Sequence, residues 1–169
     1  MAAGFCRMTR SANEVMGLAA KAARGAGAPP AQAAQFGAAV VVYLNAAHPL
    51  DVLNSALAAL PAGPIMDIPL ALARLAEQAD DGRASGMITG FDASLLQSYV
   101  GALPFAAEID AAGVTRIDLN QPSARAHPHR IDLPGGCYTH WSDLGARLLV
   151  PESDASRLAG AGAGLSDND

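Results

Sequence analysis

The sequence predicts an α+β domain, with an N-terminal helical hairpin and further helices packed on a small, mainly antiparallel sheet. Three observations carry this expectation. Stretches with helical periodicity and clear start and stop signals follow one another as far as Leu103. Beyond them come three short runs, "FAAEID", "VTRIDL" and "HRIDL", in which apolar and charged residues alternate. The two kinds of element are segregated along the chain, which is the pattern of an α+β domain and not of an alternating parallel one.

The first helix is announced by Ser11 and Glu14, a capping-box spacing, and carries Val15, Leu18, Ala19 and Ala22 on one face. It should end near Arg24, because "GAGAPP" supplies glycine for a left-handed cap and proline against continuation. A second helix over 30–46 aligns Phe36, Val40, Tyr43 and Leu44 and is apolar most of the way round, so it should be central. The short link makes these two an antiparallel hairpin. A third helix is expected from Asp51, as its cap, to Leu60.

From Pro61 the prolines of "PAGPIMDIP" interrupt the pattern, and "IPLALARLAEQAD" reads as the next helix. "GMITGF" is a strand candidate, and "DASLLQSYVGAL" is a helix that Asp92 would cap. "FAAEID" and "VTRIDL" flank "AAG" as a hairpin, and "HRIDL" offers that sheet a third strand after the loop "NQPSARAHP". Ile117 and Leu119 alternate with Arg116 and Asp118, and Ile131 and Leu133 with Arg130 and Asp132, which gives one apolar and one charged face. "THWSDLGARLLV" is a last helix capped at Thr139 or Ser142, or it finishes as a strand through "ARLLV". The expected division is a loose N-terminal extension at 1–10, one α+β domain at 11–156 and a glycine-rich C-terminal arm at 157–169.

Composition bounds the function. The 169 residues suffice for one domain with a real core, and 51% are hydrophobic but only 5% aromatic, so alanine and small aliphatics should let helices approach closely. The net charge is −5 and Lys21 is the only lysine, which leaves no basic stripe for a nucleic acid. Cys6 and Cys137 are too few for a disulfide framework, in keeping with a reducing cytoplasm. No stretch has the length of a signal core or a membrane span, so neither export nor a membrane location is expected.

The opening "MTRSANEVMGLAAKAARGAG" and the ending "LLVPESDASRLAGAGAGLSDND" resemble the two ends of the bacterial proteins grouped as domain of unknown function 3726. The resemblance implies a bacterial, soluble, single-domain protein and transfers no catalytic residue. It also implies that the glycine-rich ending is a feature of the protein and not a stray linker.

Among chemically conspicuous residues, His127, His129, Cys137 and His140 fall within one short stretch, and imidazole and thiolate can close on zinc. Zinc patterns need ligand pairs held by tight turns, so polar loop residues plus one small buried thiol is the preferred reading. His140, Ser142 and Asp143 are neighbours in sequence, whereas a catalytic triad converges from separate elements; Ser142 and Asp143 fit the first turn of a helix better. Lys21 suits the C-terminal end of the first helix as a solvated cation. Trp141 and Tyr138 would line a pocket or anchor a core. "GAGAG" matches no nucleotide fingerprint and no helix follows it, which leaves a loose tail or an arm that Arg157, Asp167 and Asp169 anchor across a surface.

The expected function is that of an accessory or interaction protein in small-molecule metabolism, associating with a second copy or a metabolic protein partner, and whether it is an enzyme stays open. The alternative is a small-molecule-binding protein or metal-assisted enzyme with a pocket near His140, Trp141 and Arg157, to which Asp167 and Asp169 would contribute.

Overall fold

A computed structural model describes residues 7–124 and 129–149 of the chain. It begins with a strand, β1 (Arg7–Ser11), followed by α1 (Ala12–Gly25). The expected capping box is formed at this junction: the Ser11 hydroxyl accepts from the Glu14 backbone N–H at 3.2 Å, and the Glu14 carboxylate accepts from the Ser11 N–H at 2.8 Å. That backbone bond, with help from the Ser11 hydroxyl, holds the Glu14 carboxyl below its ordinary value.

Helix α2 (Pro30–Asn45) returns antiparallel along α1 and runs through the core, with Phe36, Val40 and Tyr43 fully buried. The two helices meet through small residues. Ala19, Ala22, Ala23 and Ala33 are buried, and a Cβ built on Gly37 would stand 2.5 Å from the Met16 carbonyl oxygen. The same device closes the other side of α1, where a Cβ on Gly25 would overlap the Leu144 carbonyl of the last helix. Tyr43 Oη donates to the Pro49 carbonyl at 2.7 Å and so ties α2 to the chain that enters α3 (Leu50–Ala58). Asp51 lies in the first turn of α3 and Pro49 is its N-cap, so the helix starts and ends earlier than expected. A carboxylate there still favours the positive end of the helix.

Helix α4 (Pro64–Glu77) begins before the point where the prolines were expected to stop it. Pro64 takes the first turn, where no N–H bond is lost. Pro69 is interior and forgoes one helical hydrogen bond, but Ile65, Ile68, Pro69 and Leu72 are all buried. The apolar face outweighs the missing bond.

Strand β2 (Arg83–Met87) starts three residues before the "GMITGF" candidate and overlaps it only at Gly86 and Met87. Its alternation is of small residues, with Ala84 and Gly86 half-buried and Arg83, Ser85 and Met87 exposed, and so lacks the β-branched residues that mark a strand. Helix α5 (Ala93–Gly101) is capped as expected, with Asp92 accepting from the Leu95 N–H at 3.0 Å. Strands β3 (Phe105–Ile109) and β4 (Val114–Pro122) form the expected antiparallel hairpin. Asp110 organises its turn by accepting from the Ala112 and Val114 N–H groups, and Gly113 supplies a positive φ.

The third partner of that sheet is β2, in the order β2-β4-β3. The "HRIDL" strand, β5 (Arg130–Pro134), instead pairs antiparallel with β1 in a separate two-stranded sheet. Residues 7–10, read as part of a loose extension, are therefore paired, and Thr9 donates to the Asp132 carboxylate at 2.8 Å. The alternation holds for Ile117, Ile131 and Leu133, all buried. Leu119 is exposed because it lies past Asp118, where β4 stops being paired on both sides.

The last helix, α6 (Gly135–Ala146), starts at the two glycines, with Pro134 as its N-cap, ahead of both Thr139 and Ser142. Proline fixes a non-helical cap conformation, and glycine is tolerated in a first turn where little of the helix depends on it. The chain continues as turn, not strand, through Leu149. The core lies between the helices and the inner faces of both sheets. The fold is the α+β arrangement that the sequence predicts, with its strands divided between two sheets.

Two measurements test this packing. Gly37→Ala should lose about 1–3 kcal/mol in urea unfolding, because the backbone oxygen opposite cannot move aside without moving α1. Glu14→Gln should be less stable than wild type at neutral pH. The lowered carboxyl contributes above its ordinary value of 4.5 and ceases to as pH falls through its folded-state value, so the gap should close in acid.

Candidate ligand cleft

The residues singled out by their chemistry are not brought together by the fold. Trp141 is fully buried, and its Nε1 donates to the Asn54 Oδ1 at 3.1 Å, linking α6 to α3. It is a core anchor. Cys137, one turn earlier, is 7% exposed, and burial pushes its thiol up to about 12. His140 and His129 are exposed. Cys137 and His140 are one helical turn apart but differ in environment: the thiol is buried and the imidazole sits in solvent. Among the described residues no group of three or more His, Cys, Asp or Glu could hold a metal ion. His127, Arg157, Asp167 and Asp169 lie outside the described residues, as does the glycine-rich arm.

Ser142 and Asp143 fall in the middle of α6, not in its first turn, and as sequence neighbours on a helix they diverge. Tyr138 is occupied by Arg10, whose guanidinium carbon stands 4.5 Å from the ring centroid. Lys21 is exposed near the end of α1, as expected.

The concave, apolar feature of the described chain lies elsewhere, where α2, α4 and the end of α5 face one another. This cleft holds about 360 Å³, at the small end of the usual range for ligand sites, roughly 300–1,000 Å³. Its origin is the alanine content. Ala38, Ala73, Ala76 and Ala102 stand where longer side chains would fill the gap, and Leu72 and Phe105 complete the lining beside them. Pro104 stops the helical run and turns the chain into β3, which brings Phe105 to the cleft.

Two polar side chains reach this apolar surface. Gln35 is exposed at its rim, and Tyr99 forms part of its wall. Tyr99 is 3% exposed, and among the described residues its hydroxyl has no hydrogen-bond partner. Burial pushes its pKa well above the ordinary phenol value, so the group remains a neutral phenol, able to donate one hydrogen bond and to accept another. An unpaired hydroxyl in such surroundings costs about 1–3 kcal/mol, which a ligand group bonded to it would recover in part.

The outer face of the three-stranded sheet is a second concavity, of about 530 Å³, and both of its arginines are engaged with aspartates, while Glu108 has no salt bridge among the described residues. Arg83 pairs with Asp118 at 3.1 Å and Arg116 with Asp110 at 2.9 Å. The Asp110 carboxyl is held below its ordinary value, chiefly by the Val114 N–H and then by Arg116. A polar ligand there would have to replace bonds that already exist.

Sequence reasoning missed the cleft because its lining is chemically plain. The available signal was a negative one, the run of alanines on faces of three helices that the hydrophobic pattern points inward. No protein-family model, curated protein or solved structure matches the chain.

A thiol as deeply protonated as Cys137 should be inert. In a Cys6→Ser background it should react with a disulfide reagent at pH 8 at least about 100-fold more slowly in the native protein than after denaturation.

Proposed function

We propose that this chain is an accessory protein of small-molecule metabolism that acts by binding. Its ligand is a small, mainly apolar molecule with one hydrogen-bonding group, held in the cleft between α2, α4 and α5. The observation that carries the reading is a single one: an apolar cleft lined by Tyr99, whose hydroxyl is buried and has no hydrogen-bond partner among the described residues. Shape and apolar surface would supply affinity, and a ligand that displaces the packing around the Tyr99 hydroxyl would gain a hydrogen bond with it.

The chemistry of the described side chains supports binding over covalent catalysis. Cys137 is kept as a thiol by burial, and the arginine–aspartate pairs of the sheet face are spent on one another. A cytoplasmic location accords with a thiol that stays unpaired. No described helix is long and apolar enough to cross a membrane.

Titration calorimetry and ligand-observed NMR with phenol, indole and octanoate test the proposal. At least one of these probes should bind saturably at one site. Ala73→Trp, placed to fill the cleft from an exposed position, should abolish that binding while leaving the unfolding midpoint nearly unchanged. Tyr99→Phe should weaken a hydroxyl-bearing probe by about 2- to 10-fold, the worth of one neutral hydrogen bond. No binding at millimolar probe, or binding indifferent to Ala73→Trp, would sink the reading.

A further inference from the structure

Helix α4 has a second exposed flank, on the side of the helix away from the cleft, where polar residues surround an apolar centre. Leu70 is 48% exposed and Met87, at the end of β2, 65% exposed, and both line one groove of about 540 Å³ between α4 and the edge of the sheet. Only five large hydrophobic side chains are so exposed among the described residues, so two of them sharing one groove marks a patch and not scatter.

The α4 side of this groove is formed by Asp67, Leu70, Ala71 and Arg74. Their spacing of three, four and seven puts them on one helical face. Asp67 and Arg74 are exposed, and among the described residues neither has a salt bridge. The order along the helix is acid, large apolar, small apolar, base. Read in the opposite direction the same face presents base, small, large, acid, so it is its own complement.

We infer that this face is the interface of a symmetric homodimer in which α4 packs antiparallel on α4 of a second copy. With the two-fold axis between Leu70 and Ala71, each leucine meets the partner's Ala71, and each Asp67 meets the partner's Arg74. Met87 extends the apolar contact on the sheet side. A two-fold interface requires just this self-complementarity, since every contact is made twice with the roles exchanged. The leucine–alanine contacts supply packing, and the two ion pairs fix direction and register. The cleft on the other flank of α4 stays open, and the dimer does not depend on its being a ligand site.

Sedimentation equilibrium of the full chain, over about 1–500 µM, tests the inference by charge reversal. Wild type should be a monomer–dimer system. Leu70→Asp should weaken the dimer by at least about tenfold. Asp67→Arg and Arg74→Asp should each weaken it, because like charges then face each other. The double variant Asp67→Arg/Arg74→Asp should recover most of the wild-type affinity, because opposite charges meet again across the axis. All three substituted positions are exposed, and circular dichroism should show the variants folded. A monomeric wild type throughout the range overturns the proposal. So does a dimer unmoved by Leu70→Asp, or a double variant no tighter than the single ones.

Discussion

Backbone approaches backbone at two places around α1, and the rest of the molecule is arranged on that contact. Gly37 leaves α2 room to lie against the Met16 carbonyl, and Gly25 leaves α6 room to end against the far side of α1. Side chains of ordinary size would hold these helices apart. With the backbones so close, dispersion is gained between main-chain atoms and alanine methyl groups, and a core with few aromatic residues still reaches solid packing. Trp141, the largest side chain inside, then fills the space between α6 and α3, with its indole N–H satisfied by Asn54.

The same composition has the opposite effect where the backbones are not drawn together. Ala38, Ala73, Ala76 and Ala102 face a gap that they are too short to fill, and the cleft beside Tyr99 results. Small residues thus close one helix pair and open another. What decides between the outcomes is whether glycine lets the main chains meet, as it does at Gly37, or whether a third element holds them apart, as the entry to β3 does at Phe105. Helix α4 stands at the boundary. One flank faces the cleft, the opposite one faces solvent with an apolar centre between unpaired charges, and the buried side between them anchors the helix through Ile65, Ile68 and Leu72.

Electrostatics in the described chain works mostly at close range. The Ser11–Glu14 box, the Asp92 cap and the Asp110 turn are carboxylates held by nearby N–H groups, and each stabilises the start of an element or a reversal of the chain. On the outer face of the three-stranded sheet, arginine and aspartate neutralise one another across neighbouring strands or around the hairpin turn. That consumption of charge is why the one strongly ionic surface is a poor place to look for a ligand, and why an apolar wall with one neutral hydroxyl is a better one.

The sequence by itself determined what short-range chemistry decides. Ser11 three residues before Glu14, Asp92 before Leu95 and the "AAG" between two alternating runs fix a cap, a cap and a hairpin, because all partners lie within a few residues. Helical periodicity likewise placed Phe36, Val40 and Tyr43 in the core. Wherever the partner is distant in the chain, local reading erred or was silent. β5 had no local reason to prefer β1, more than a hundred residues away, over the hairpin beside it in sequence. Pro69 was expected at the start of its helix and lies inside it, because the burial of its neighbours outweighs one hydrogen bond, and the first part of β2 was hidden because its small residues suit Leu75 above them and not a strand propensity. Cys137, His140 and Trp141 looked like a site because they are close in sequence, but the side of α6 that carries Cys137 and Trp141 is packed into the core while His140, at its border, is exposed. Only the tertiary structure could show that the thiol and the indole are buried, and that the space for a ligand opens among alanines instead, because a cleft is a property of how elements meet and no single segment contains it.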